Sequence, residues 1–206
     1  MLGFILSKLN LLILVAAIFG IVTYFMFGLS DVMVVEQSKN VLGRLVKKTD
    51  SLISSPSYCD STYFYLPRTI RVTGSELFYI MKIGLAEAEI EDEFGDSQTY
   101  KYAVFSVASR SRPDEVVAAD SFRTKATIRL FDISGPAIEE KTGDEALIIL
   151  DPQAKIPTDA LLLIKEIVSG EEYLYLIPCN SDPLQCEARK DQVAQKFLGE
   201  RSEFNC

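Results

Sequence analysis

The sequence contains no histidine and no tryptophan. Without histidine, the commonest general base near neutral pH and the commonest metal ligand are both missing. Ser-His-Asp and Cys-His catalysis are thereby excluded, as are His-containing zinc sites. The chain has no glycine-rich phosphate loop and no Asn-x-Ser/Thr acceptor. No two of its cysteines lie close enough in sequence to form the short knuckles of a four-cysteine zinc site. Charge is absent from Leu9 to Leu29, and proline is absent from Asp31 to Ile53.

Positive charge is also scarce. The chain carries 21 Lys and Arg against 29 Asp and Glu, a net charge of −8. Residues 1–53 hold five cations (Lys8, Lys39, Arg44, Lys47, Lys48) against three carboxylates (Asp31, Glu36, Asp50), a net of +2, so the remainder stands at −10. An acidic domain without a basic stripe repels phosphate backbones, which argues against nucleic acid as a partner. The acidity serves solubility.

What is present begins with the uncharged run Leu9–Leu29, whose only polar members are Asn10, Thr23 and Tyr24. Twenty-one helical residues would span roughly 31 Å, the thickness of a bilayer's hydrocarbon. The run is longer than the apolar core of a cleaved signal peptide, although Gly28-Leu29-Ser30 fits a cleavage site. The expectation is a membrane anchor over 1–30, with membrane lipid and the helices of protein partners as its contacts. Lys8 favours a cytoplasmic N-terminus and Lys39–Lys48 pull the other way.

From Asp31 to Ile53 the apolar residues Val34, Val41, Leu45 and Leu52 make one stripe at offsets of 7, 4 and 7, the pattern of an amphipathic helix over 31–53. Joined to the anchor, it would form one continuous helix roughly 68 Å long, ended by Ser54-Ser55-Pro56. Beyond it the period changes to two over 54–206. Thr62–Leu66 reads as a strand, and Thr69–Val72 with Glu76–Ile83 reads as a hairpin about Thr73-Gly74-Ser75. Gln98–Ala108 and Glu115–Ala119 bracket a turn at Ser109–Asp114. Thr124–Phe131 and Ala146–Leu150 are further strands. Leu161–Val168 and Tyr173–Ile177 form a hairpin about Ser169–Glu172, although Leu161–Ile167 is also compatible with helix. Leu184–Leu198 has helical spacing. The expected fold class is α+β: a long N-terminal helix, transmembrane in its first half and amphipathic in its second, packed on an antiparallel β-rich head with a short C-terminal helix.

All four cysteines, Cys59, Cys179, Cys186 and Cys206, lie beyond the apolar run. Four cysteines in such a domain point to two disulfides, and hence to an oxidising, extracytoplasmic compartment. Cys179 and Cys186 enclose six residues rich in turn formers, a loop that closes easily. That pairing would leave Cys59 with Cys206. The crossed connectivities stay open.

Two carboxylate clusters are candidate sites. Glu87, Glu89, Glu91, Asp92, Glu93 and Asp96 place six carboxylates within ten residues, a composition that calcium favours. The glycine does not follow the third ligand as an EF-hand requires, so the expectation is a solvated acidic loop. Asp144-Glu145 with Asp151 could do acid–base work, but such pairs are abundant in any acidic chain. No catalytic residue, cofactor, metal or small-molecule substrate is expected, and the protein reads as non-enzymatic.

The run Val41-Leu42-Gly43-Arg44-Leu45-Val46, then Ser55-Pro56, Tyr65-Leu66-Pro67 and Ile70-Arg71-Val72, resembles the type IV pilin superfamily, and within it archaeal pilin-like and flagellin-related proteins. The resemblance covers residues 9–83. It implies a single-pass membrane protein with an outward head and a structural or assembly role at the cell surface. Pilins carry a charged leader and a glutamate at the fifth position of the mature helix. Here Met1-Leu2 precede Gly3, and the fifth residue from Phe4 is Lys8. The implied relative is therefore a minor pilin or a permanently anchored protein. The other reading is an anchored accessory or binding subunit of a membrane complex, and a membrane-tethered enzyme is a third.

Overall fold

A computed structural model describes residues 18–19, 32–72, 75–91, 97–132, 138–143, 146–199, 203, 204 and 206. The first long helix, α1, covers residues 32–53. Its buried face is Val41, Leu42, Leu45 and Leu52, each at most 4% exposed. Two hydroxyl residues share that face, Ser38 and Thr49, both fully buried. They satisfy themselves by donating back one turn, to the carbonyls of Val34 (2.8 Å) and Leu45 (3.0 Å). After Ile53 the chain tightens through a hydrogen bond from the Ser55 amide to the Leu52 carbonyl at 3.2 Å, and Pro56 prevents a further turn.

Among the described residues eleven strands follow. They are β1 (Cys59–Tyr65), β2 (Ile70–Val72), β3 (Ser75–Leu77), β4 (Tyr79–Glu91), β5 (Ser97–Ser109) and β6 (Arg112–Thr124). Then come β7 (Thr127–Asp132), β8 (Glu139–Lys141), β9 (Leu147–Leu150), β10 (Ala160–Val168) and β11 (Glu171–Cys179), and a helix α2 over Pro183–Phe197 closes the order. One sheet has the order β1-β10-β11-β7-β8, the second β6-β5-β4-β9, and β2-β3 is a separate hairpin. All pairs are antiparallel except β11 with β7.

The expected fold class is overturned. Strands account for 51% of the structure, the larger sheet is mixed, and among the described residues the first helix runs only over 32–53, without the long transmembrane half that was expected. Among the described residues no helix is long and apolar enough to cross a membrane. For α1 the reason is physical: Glu36, Lys39, Arg44, Lys47, Lys48 and Asp50 ring its exposed side, and hydrocarbon penalises each of them. The anchor expected over 9–29 lies outside the described residues apart from Ile18 and Phe19, which are helical and exposed.

The centre of the larger sheet, β10 and β11, is buried on both faces, and β10 shows why. Its residues Leu161 and Leu163 join a core shared by α1 and both sheets, which includes Leu45, Ile83, Phe105 and Leu176. The intervening Leu162 and Ile164 point the other way, into a second core with Phe131, Tyr175, Ile177, Val193 and Phe204. A strand covered on both sides has no polar alternation. That removes the period that would have told strand from helix here. β10 returns as β11 through Ser169 and Gly170, both at positive φ (54° and 86°), a two-residue turn whose twist suits an antiparallel hairpin.

Two charged residues of β10 are buried, Lys165 and Glu166, and Lys165 reaches the end of α1. Lys165 of β10 is 5% exposed and donates to the carbonyls of Ile53 (2.8 Å) and Ser55 (2.5 Å), at the C-terminus of α1. Its ammonium also meets Glu172 at 3.3 Å. A cation suits the negative end of a helix and satisfies carbonyls the helix cannot. Replacing Lys165 by methionine keeps the stem but strands both carbonyls, and should destabilise the domain by about 2 kcal/mol. A denaturant titration checks this, and a loss below about 0.5 kcal/mol would assign the capping to solvent.

Candidate functional site

The chemistry-bearing residues gather at the C-terminal layer. Asp182 caps α2, its carboxylate accepting from the Leu184 amide at 3.1 Å, and Pro183 occupies the first turn where its missing N–H costs nothing. Cys186, in that turn, is bonded to Cys179 at the end of β11. Cys206 is bonded to Cys59 at the start of β1. In each pair the Cα atoms stand 5.2 Å apart, within the normal range for a bridge. Both bonds therefore tie the same layer to the same sheet.

Polar contacts reinforce the seam. The buried Asp159 carboxylate accepts from the Ser181 amide (2.7 Å) and hydroxyl (3.0 Å), just before α2. Lys196, in the last turn of α2, donates to the Ile138 carbonyl at 2.7 Å. The Tyr63 hydroxyl of β1 donates to the Glu187 carboxylate of α2, and Lys190 lies 3.4 Å from the same carboxylate. Burial pushes the Tyr63 hydroxyl's pKa up, and the Glu187 bond adds to it. The hydrogen bond from Tyr63 holds Glu187 below the usual carboxylate range.

A carboxyl with a lowered folded pKa contributes stability that is present above its unfolded value, near 4.3, and is lost as pH falls through the folded value. Acidification below about pH 4 should therefore weaken the attachment of α2. Stability of wild type and Glu187→Gln measured between pH 6 and 2.5 checks this. The variant should show a shallower loss of stability on acidification than wild type, and equal pH slopes would dissociate Glu187 from it.

The aromatic floor of the layer is continuous. Phe131 stacks on Tyr175 at 6.4 Å, Phe197 tilts onto Phe131 at 5.1 Å, and Phe204 meets Tyr175 edge-on at 5.0 Å. Phe204 is 6% exposed although it is two residues from the chain end.

The carboxylate clusters resolve differently. Glu87, Glu89 and Glu91 lie on strand β4 and not in a loop, while residues 92–96 fall outside the described residues. Asp144 and Glu145 also fall outside them. Asp151 staples its own loop, accepting from the Gln153 amide at 2.9 Å and pairing with Arg110 at 3.0 Å. Among the described residues no group of three or more His, Cys, Asp and Glu could hold a metal ion.

A cavity of about 350 Å³ opens where β4 and β5 diverge from β7 and β8. Leu85 and Ile128 line it together with Lys101, Arg129, Glu140 and Lys141. Glu87 also lines it, Arg129 pairs with Glu140 within the lining at 3.7 Å, and Lys141 pairs with Glu139 (3.3 Å) and Asp132 (3.6 Å) just outside it. Lys101 meets the Thr127 hydroxyl at 3.4 Å. This is the wet rim of a two-sheet core, with paired charges worth little in stability.

Sequence reading missed Tyr63, Asp159, Lys165 and Glu187, since each acts on a partner distant in sequence. Only Asp182-Pro183 carried a local signal, that of a capped helix start. The chain matches no protein-family model, no curated protein and no solved structure.

Proposed function

We propose that this chain is a pilin-like, single-pass membrane-anchored protein whose disulfide-stapled β domain stands outside the cytoplasm and acts structurally, by contact with other proteins in surface assembly. The observation that carries the reading is a conjunction. An uncharged run at 9–29 precedes a domain whose cysteines are all paired in disulfides, Cys59–Cys206 and Cys179–Cys186. Disulfides of this kind persist in oxidising compartments, and a run of that length matches a bilayer. The start of α1 adds support for partners near the anchor: Val32 and Met33 are 63% and 41% exposed, ahead of the first buried position at Ser38. Partner helices or lipid would cover them.

Intact cells treated with a membrane-impermeant amine reagent test the topology. Exposed lysines such as Lys125 and Lys155 should be labelled without permeabilisation, and the protein should stay in the membrane after an alkaline wash. Ile18→Asp with Phe19→Asp, each costing about 3 kcal/mol at mid-span, should abolish that retention. Labelling only after permeabilisation would sink the reading. Recovery in sheared surface filaments would support assembly, whereas recovery only in a fixed membrane complex would favour an accessory subunit.

A further inference from the structure

We infer that the C-terminal layer, α2 with Phe204 and Cys206, is a redox-latched cover: reducing both disulfides uncovers the outer face of the five-stranded sheet while the core between the two sheets stays folded.

The two cores divide the molecule unequally. The one between the sheets draws on α1 and on strands of both sheets, and needs nothing from α2. The second is made by laying α2 and Phe204 over Leu162, Ile164, Tyr175 and Ile177. The noncovalent grip of the cover rests on few side chains: Val193, Phe204 and the partly buried Phe197 and Leu198, with the hydrogen bonds of Tyr63 to Glu187 and Lys196 to Ile138. Of the fifteen residues of α2 only Cys186, Val193 and Ala194 are buried, and Leu184 is 82% exposed. A helix of that length is marginal in water without packing. Both disulfides of the chain fall on this layer, one near each end. They supply what packing does not.

The chemistry balances as two thiol–disulfide exchanges. Each takes two electrons and two protons from an external dithiol, which becomes a disulfide, and leaves two cysteine thiols. In the forward direction, oxidation of Cys179 with Cys186 closes a short loop across Asn180-Ser181-Asp182. Oxidation of Cys59 with Cys206 fixes the far end. A reducing compartment holds the apolar face open, and entry into an oxidising one completes the domain. The inference rests on packing and bond placement, and not on the membrane anchor or the pilin-like reading.

The test uses the full chain in mild detergent, with a phosphine reductant added to the folded, oxidised protein. Amide exchange is followed by mass spectrometry, and an apolar dye reports exposed surface. On reduction, α2 amides should exchange faster by on the order of a hundredfold and dye fluorescence should rise, while α1, β4 and β5 keep their protection. Simultaneous loss of protection everywhere would overturn the inference, as would α2 amides that do not respond. A chain with all four cysteines replaced by serine should match the reduced protein; if it does not fold, the reductant arm decides alone. Reduced protein returned to oxidised glutathione should regain α2 protection, and failure to do so would count against a reversible latch.

Discussion

Serine at both Cys59 and Cys206 is expected to lower the stability of the domain by about 4–5 kcal/mol, against about 2 kcal/mol for serine at both Cys179 and Cys186. The difference follows from loop length. The first bond spans 147 residues and the second 7, and the chain entropy a cross-link removes from the unfolded state grows with the logarithm of that number. The longer bond also carries Phe204 into its place against Tyr175, so its loss reaches the second core directly. Denaturant titration read by near-ultraviolet tyrosine signal is suited to the measurement, because the chain has no tryptophan and Tyr63, Tyr173 and Tyr175 sit at or near this core. A larger loss from the short loop would reverse the account.

Truncating adjacent leucines on β10 should separate the two cores. Leu162 and Leu163 are both fully buried, one in each core. In the oxidised protein each change to alanine should cost about 3 kcal/mol, from lost transfer energy and the cavity left behind. After reduction the paths divide. Leu163→Ala should keep its cost, because α1 and both sheets still enclose the site. Leu162→Ala should fall below about 1 kcal/mol, because its site now faces water in both folded and unfolded chains. The coupling between reduction and Leu162→Ala, taken as a double cycle, is the quantity of interest. Equal costs in both redox states at both positions would show that the cover stays in place without its bonds.

How much of this was legible in the sequence depended on whether an element announced itself locally. The stripe Val41, Leu45 and Leu52 is buried in α1, yet Ser38 and Thr49 on the same face read as polar because their hydroxyls turn back to the helix's own carbonyls. Thr73-Gly74-Ser75 marked the right hairpin, but Ser75 belongs to β3, paired with Val72. Pro113 looked like part of a turn and stands instead in β6. That strand is at the edge of its sheet, where a missing amide costs nothing, and its register shifts beside Ala108. The run Leu161–Ile167 was ambiguous because both faces of β10 are covered. The parallel pairing of β11 with β7 left no trace, since register between distant strands is set by the whole core. The same holds for Lys165 and Glu187, whose partners are far away in the chain. The long helix expected from the unbroken stretch after the anchor was the main error. The described helix spans 32–53, which is the amphipathic half, and its charged exposed side keeps it from continuing as a membrane span; the rest of the expected helix lies outside the described residues apart from Ile18 and Phe19.

The central claim is that two specific bonds close the C-terminal layer onto the sheet. Its most direct test is a disulfide map of the chain purified from membranes, alkylated under denaturing conditions without reductant and digested. The account predicts no alkylated cysteine and two linked peptides, one joining Cys59 to Cys206 and one joining Cys179 to Cys186. A crossed pairing, or four alkylated thiols, would contradict it.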